Sequence, residues 1–229
     1  MNSARNYEFV GSSQIVELRR YVIKPGARDH FAEYFESYFP EAFQQLGAMV
    51  LGQFRERGNE QAFTWLRRFE DADARARVNE AFYDGPLWRE HAATMNDRLV
   101  SSDNVLLLRP LRAASDVPVL PAVDPVREPK GARGVVVARI LAAEANNIED
   151  VGAGREAGLR EAGILVSDDG PNTFPRHPVR SDGRILVWLG IAKDDEMVEA
   201  FRSGLREQAE LLVLEPTRRS SLRWLPESG

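Results

Sequence analysis

Hydrophobic positions change period in a regular order along this chain. Ile15 to Ile23 is rich in β-branched and aromatic residues and predicts a strand, stopped by Lys24-Pro25-Gly26. Phe31, Tyr34, Phe35, Tyr38, Phe39, Ala42, Phe43 and Leu46 then recur at helical spacing and form one apolar stripe. Pro40 lies inside that stripe and predicts a kink or break near Phe39, and Gly47 predicts the helix stop. Leu51 to Arg57 reads as a second strand, Gly58-Asn59-Glu60 as a turn and Ala62 to Phe69 as a third strand. Alternation puts Phe63, Trp65, Arg67 and Phe69 on one face of the third strand, with Thr64, Leu66 and Arg68 on the other. Asp71 predicts the N-cap of a helix reaching Phe82. Asp84-Gly85-Pro86 closes that helix and opens another, which carries Trp88, His91, Ala92, Met95 and Leu99 on one face. Asn104 to Leu111 completes a β-α-β-β-α-β order, the ferredoxin-like unit.

Pro118, Pro121, Pro125 and Pro129 then punctuate a stretch without helical period, which predicts a semi-rigid linker over residues 112–133. Beyond it the order returns. Gly134 to Leu141 predicts a strand, Ile148 to Ala162 a helix, Ile164 to Ser167 a short strand and residues 168–183 a solvated polar loop able to act as a lid. Arg184 to Ala192 predicts a strand, Asp194 to about Leu212 a helix and Leu222 to Leu225 a last short strand. Trp65-Leu66 and Trp188-Leu189 match at an offset of 123 positions (188 − 65), and the same offset pairs Asp71 with Asp194. The expected fold is therefore α+β: two tandem ferredoxin-like repeats, residues 15–111 and 134–226, preceded by an arm over residues 1–14. Each repeat leaves one sheet face bare of helices, and burying two such faces against each other gives a dimeric-α/β-barrel-type sandwich. The barrel closes within one chain or between two chains of a homodimer; the pattern allows both.

Composition narrows the function. The 229 residues are 43% hydrophobic and 28% charged, as in an ordinary globular protein. A net charge of −5 argues against a nucleic-acid partner, and no run of about 18 apolar residues predicts a membrane span. The N-terminus has no basic region followed by an apolar core, so a cytoplasmic location is expected, and the preference for Arg and Ala over Lys suggests a bacterial source. The absence of cysteine excludes disulfides, thiolate metal sites and a cysteine nucleophile. With only His30, His91 and His177, no metal site is expected. Asp168-Asp169-Gly170 fits no standard cation loop, and Gly152-Ala153-Gly154 is no dinucleotide fingerprint.

Several segments together resemble the NIPSNAP family of the dimeric α/β-barrel superfamily. They are Glu17-Leu18-Arg19-Arg20-Tyr21 with Lys24-Pro25-Gly26, Leu51-Gly52-Gln53-Phe54, Trp65-Leu66-Arg67-Arg68-Phe69-Glu70-Asp71, Arg75 and Phe82-Tyr83. Gly85-Pro86-x-Trp88-x-x-His91 and Asp103-Asn104-Val105-Leu106-Leu107-Leu108-Arg109-Pro110 complete the match, which covers the first half. The Tyr83-to-His91 motif has no counterpart in the second half, so the resemblance implies an asymmetric site. The superfamily holds cofactor-free monooxygenases, haem-degrading enzymes, isomerases, cyclases and plain binding proteins, so membership implies the fold more strongly than the chemistry.

The candidate chemistry lies on the motif. His91 is the candidate general acid/base, or the axial ligand if haem is the cofactor; the alternative is a core histidine. Arg67 is the candidate oxyanion-binding residue, and the alternative is an ion pair with Glu17 across the sheet or exposure at a strand end. Trp65, Tyr83, Trp88, Tyr21 and Arg19 are candidate substrate contacts, with core packing as the alternative for the aromatics. The expected function is a cofactor-independent oxygenation, isomerisation or cyclisation of an apolar, aromatic metabolite, in bacterial secondary metabolism. The alternatives are a non-catalytic binding or scaffold protein and a haem-binding barrel.

Overall fold

A computed structural model describes residues 14–143, 153–181, 183–205 and 209–225. The first half runs β1 (Ile15–Ile23), α1 (Arg28–Leu46), β2 (Met49–Glu56), β3 (Ala62–Phe69), α2 (Ala72–Tyr83), α3 (Pro86–Asn96) and β4 (Leu99–Pro110). A 3-10 turn at Ala113–Ser115 leads through the proline-rich stretch to the second half. That half runs β5 (Val135–Ala142), α4 (Ala153–Glu156), β6 (Arg160–Ser167), β7 (Ile185–Ala192), α5 (Asp195–Gly204) and β8 (Glu210–Pro216). All pairings are antiparallel, and the strands close into one barrel in the order β1-β3-β2-β8-β5-β7-β6-β4. The two halves meet at two short seams. Phe54 to Glu56 pairs with Leu214 to Pro216, and Leu108 to Pro110 pairs with Leu165 to Ser167.

Strand alternation sorts the side chains into three apolar layers. Val16, Leu18, Leu66, Leu106, Leu108, Val136, Val187, Leu189 and Leu214 fill the barrel interior. The opposite faces of β1 to β4 pack under α1, α2 and α3, and those of β5 to β8 pack under α4 and α5. The predicted face of β3 is observed: Phe63, Trp65 and Phe69 lie in the layer under the helices, while Leu66 points into the barrel. Asp71 caps α2 by accepting from the Ala74 N–H at 2.6 Å, and Pro86 opens α3. Gly47 ends α1 with φ at +99°, a conformation that favours glycine.

Four expectations need correction. α1 is not broken at Pro40 but continues through it as one helix. A proline in a helix interior costs about 3 kcal/mol, but Phe31, Phe35, Phe39 and Phe43 are all buried along the same stripe, each contributing about 1.5–3 kcal/mol. The helix expected from Ile148 to Ala162 is, where described, only the turn Ala153–Glu156, and Arg160 already begins β6; residues 148–152 lie outside the described residues. The helix expected to reach Leu212 ends at Gly204, and Glu210–Pro216 is the last strand. Its run Leu211-Leu212-Val213-Leu214 fills the gap between β2 and β5, where open strand edges require a partner. Leu222 to Leu225 is accordingly not a strand: Leu222 is buried in the barrel layer and its N–H bonds to the Leu51 carbonyl at 2.8 Å. The loop that follows β6 is exposed at Asp169 to Pro171, Pro175, Arg176 and Pro178, as expected, but it buries Phe174 against the first half.

Candidate functional site

β1, β3 and α2 bring an unusual set of charges together beneath the helices. Glu17, Arg19, Arg67, Arg75 and Asn79 are all fully buried. Glu17 and Arg67 are direct partners in the β1–β3 register, and Arg19 faces Trp65 one pleat along. Arg75 and Asn79 come from the face of α2 that also carries Ala74, Val78 and Phe82. The Glu17 carboxylate accepts from Arg67 Nε at 2.7 Å, Arg19 Nη1 at 2.9 Å and Arg75 Nε at 2.5 Å. Arg67 Nη2 donates to Asn79 Oδ1 at 2.8 Å, and Arg19 Nε to the Tyr21 hydroxyl at 3.0 Å. The ion pair between Arg67 and Glu17 is thus present. Burial alone would push the Glu17 carboxyl up, but the guanidinium charges of Arg67, Arg19 and Arg75 outweigh it and hold the group well below the usual carboxylate range.

One carboxylate does not balance three guanidinium ions. Burying ions costs several kcal/mol each unless charge and hydrogen bonds compensate. Here compensation is incomplete: Arg19 Nη2, Arg67 Nη1, Arg75 Nη2, Asn79 Nδ2 and Trp65 Nε1 are buried and have no hydrogen-bond partner. A cluster of buried donors with surplus positive charge has the chemistry of an anion site.

An aromatic layer lies beside this cluster. Arg19 and Arg67 stand 5.7 and 5.1 Å from the Trp65 ring, and Arg67 is 4.8 Å from the Phe43 ring. Between helices and sheet a cavity of about 70 Å³ is walled by Tyr21, Trp65, Tyr83 and Trp88, with Met95 and His177. It has room for about two waters. Trp65, Tyr83, Trp88 and Tyr21 therefore share one wall, and Arg19 and Arg67 lie next to it. His91 is 7% exposed and sits elsewhere, at the α1–α3 contact: its Nδ1 is 2.7 Å from the Tyr34 hydroxyl and its ring is 4.1 Å from that of Tyr38. It is not among the residues that wall the cavity.

The unexpected contribution comes from the second half. The loop between β6 and β7 crosses the seam and docks over the site. Asn172 Oδ1 and Thr173 Oγ1 accept from Arg75 Nη1 at 2.9 and 3.3 Å, and Thr173 Oγ1 donates to the Ala72 carbonyl at 2.9 Å. Phe174 is 4% exposed and stacks on Tyr83 at 5.8 Å, and His177 lies 4.4 Å from the same ring. Arg176 pairs with Asp84 at 2.8 Å, and the Arg180 N–H reaches the Val105 carbonyl at 2.8 Å. Burial, followed by the charges on Arg19 and Arg67, pushes the His177 imidazole down to about 4. Burial, followed by the neighbouring Tyr21 phenol, pushes the Tyr83 phenol up, so Tyr83 remains neutral.

Arg75, Asn79 and His177 were not among the expected site residues, although Arg75 carries part of the family resemblance. Arg75 and Asn79 were detectable as polar residues at i, i+4 spacing within the apolar stripe of α2. His177 gave no local signal, because its partner Tyr83 is far away in sequence.

The depressed His177 pKa has a direct test. In imidazole NMR spectra across pH, with assignment by a His177→Gln variant, His177 is expected to stay neutral through pH 6.5 and protonate only toward pH 4. A group whose docked pKa is lowered destabilises the docked state as pH falls below its ordinary value, so loop docking should weaken between about pH 6.5 and 4. A midpoint at 6.5 would mean that the ring is solvated.

Among the described residues, eight antiparallel strands with helices outside them define an α+β protein, and solved structures share this fold. A candidate monooxygenase from Fusobacterium nucleatum aligns over 93% of this chain and 97% of its own at 9% identity and a TM-score of 0.57. One from Lactobacillus acidophilus aligns over 91% and 98% at 10% identity and a TM-score of 0.51. Residues 16–114 match the NIPSNAP family model, and this segment is a NIPSNAP domain. An uncharacterised NIPSNAP-like domain protein from Burkholderia xenovorans aligns over 50% of this chain and 98% of its own, at 24% identity and a TM-score of 0.41. No curated protein matches the chain. Among the described residues, no helix is long and apolar enough to cross a membrane.

Proposed function

We propose that this protein is a cofactor-independent enzyme acting on a flat, apolar, enolisable metabolite held against Trp65, Tyr83 and Trp88. Oxygenation, isomerisation and cyclisation of such a compound share one species. Removing a proton next to a carbonyl leaves an enolate, which then reacts with dioxygen, is reprotonated elsewhere, or attacks a second carbonyl in the same molecule. Each route requires the enolate oxygen to be stabilised. The observation that carries this reading is the surplus of buried, unpartnered N–H groups on Arg19 and Arg67 beside the aromatic wall. A plain scaffold gains nothing from leaving such donors unmet in its interior. In this reading His91 holds α3 to α1 through Tyr34, and His177 belongs to the loop that covers the wall. Because His91 faces Tyr34 and Tyr38, no haem ligation is assigned to it. The two halves are read as tandem ferredoxin-like repeats whose barrel closes within one chain, with cytoplasmic, bacterial secondary metabolism as the setting.

Deuterium exchange at the α-carbon of 2-tetralone and related aryl ketones in D2O reports enolate formation whichever route follows. Wild-type protein is expected to accelerate exchange, and Arg67→Met to lower the rate by about 10²–10³. Equal rates for the wild type and a folded Arg67→Met variant would remove the enzyme reading.

A further inference from the structure

The docked loop has the composition of a ligand. Asn172 and Thr173 place two acceptor oxygens on one nitrogen of Arg75, while Phe174 and His177 place flat rings on Tyr83. The two rings also stack on each other at 5.3 Å. The segment is folded tightly enough to act as a unit: Asn172 Nδ2 donates to the His177 carbonyl at 2.8 Å, and the His177 N–H donates to the Phe174 carbonyl at 3.1 Å. A pair of oxygens on a guanidinium with a planar ring stacked nearby is also what an aromatic carboxylate would present. The loop's oxygens are neutral, so they fill acceptor positions on Arg75 without supplying the missing negative charge. Arg75 Nη2 remains buried and unpartnered. The space left with the loop in place is about 70 Å³, too little for a bicyclic ring.

We infer that residues 172–177 occupy the site as an internal stand-in, and that the true ligand carries, on the flat aromatic body of the proposed substrate, a carboxylate that takes over Arg75 and displaces the loop from Tyr83. This deepens the function proposed above and rests on its aromatic wall. It adds an anionic subsite at Arg75, separate from the enolate oxygen assigned to Arg19 and Arg67. A carboxylate there would bring the cluster close to charge balance and accept from the second Arg75 nitrogen in a paired geometry that the loop does not achieve. It would also explain why the cover comes from a loop tethered by neutral contacts: a neutral competitor can be displaced by an anion. The ligand pays the loop's docking energy, so loosening the loop should raise apparent affinity.

The test titrates full-length protein with 2-naphthoate and 2-naphthamide, which share the ring system and differ in charge, using tryptophan fluorescence. Naphthoate is expected to bind at least tenfold more tightly than the amide. Arg75→Met should abolish that preference while the fold survives, because Glu17 keeps Arg19 and Arg67. Asn172→Ala and Phe174→Ala should each tighten naphthoate binding severalfold. Amide hydrogen exchange over residues 172–177 should accelerate when naphthoate binds, whereas a purely structural loop would be unchanged or protected. Equal binding of both probes, unaffected by Arg75→Met, would overturn the anionic subsite and leave the aromatic wall standing. Unchanged affinity in both loop variants would overturn the stand-in. Failure of both probes to bind even Asn172→Ala would overturn the inference together with the pocket on which the proposed function depends. α-Carbon exchange by wild-type protein, measured separately, distinguishes the two failures.

Discussion

A Glu17→Gln substitution is expected to lose about 3–5 kcal/mol of folding stability, the usual consequence of leaving buried charges without their partner. The amide is nearly the size of the carboxylate, so packing is unchanged. Among the described residues, what disappears is the one carboxylate paired with Arg19, Arg67 and Arg75, all of them fully buried. Urea denaturation should show a lower midpoint with an unchanged slope, since the surface exposed on unfolding is the same. Combining Glu17→Gln with Arg67→Met should recover part of the loss, because one stranded cation is gone. The linkage to pH follows from the lowered Glu17 pKa. The contribution is complete above about 4.5, the ordinary value, and declines as pH falls below it. The variant should therefore lose this part of the acid sensitivity. A variant as stable as wild type would mean that water reaches the cluster and that its donors are not stranded.

Trp65→Ala should cost about 3–5 kcal/mol, the range for removing a large buried aromatic. Trp65 is 1% exposed and packs against Phe35 at 4.9 Å, Phe43 at 5.7 Å and Tyr21 at 6.0 Å. Its loss would join the cavity to the guanidinium cluster and admit water to it. Trp188→Ala is the informative comparison. Trp188 takes the equivalent place in β7, faces Arg139 across the β5–β7 ladder and stacks on Phe201 at 5.0 Å. Gly154 and Gly190 leave room for its ring; a Cβ on either would lie 2.2 Å from it. The two indoles differ in one respect: Trp188 Nε1 donates to Glu161 at 3.3 Å, whereas Trp65 Nε1 is buried without a partner. Both alanine variants should lose similar stability in thermal melts. Only Trp65→Ala should also lose the distinction between 2-naphthoate and 2-naphthamide, while Trp65→Phe should keep most of it. Equal loss of ligand discrimination in the two alanine variants would place the site elsewhere.

The contrast between the halves also explains why the site was only partly visible in the sequence. At the 123-position offset, Arg67 corresponds to Gly190 and Arg75 to Val198. The second half also buries an arginine, Arg139, opposite Trp188, but it has apolar or small residues where Arg67 and Arg75 would fall, so the gathering of three guanidinium groups on one carboxylate belongs to the first half. The pleat of β3 placed Arg67 beside Trp65 without any knowledge of the fold, and the same pleat made Glu17 its expected partner. His91 drew attention because it is a rare residue on an apolar face, yet its neighbours Tyr34 and Tyr38 sit one helical turn apart on α1 and engage it at a helix–helix contact.

The sequence by itself determined the elements whose signals are local. These include the order of the first-half strands and helices, the two faces of β3, the Asp71 cap and the aromatic stripe of α1, but not the end of α3: Leu99, expected on that helix, opens β4, which was expected only from Asn104. Periods of two and 3.6 residues and capping side chains act over a few positions, so they can be read without a partner. Tertiary structure decided everything that depends on distant partners. Leu211 to Leu214 became a strand because β2 and β5 offered open edges. Glu17, Arg67 and Arg75 became a charge-imbalanced site because β1, β3 and α2 converge. Residues 172–177 became a cover because Arg75 and Tyr83 lay within reach on the other half. No local pattern encodes such a meeting; it exists only once the barrel has closed.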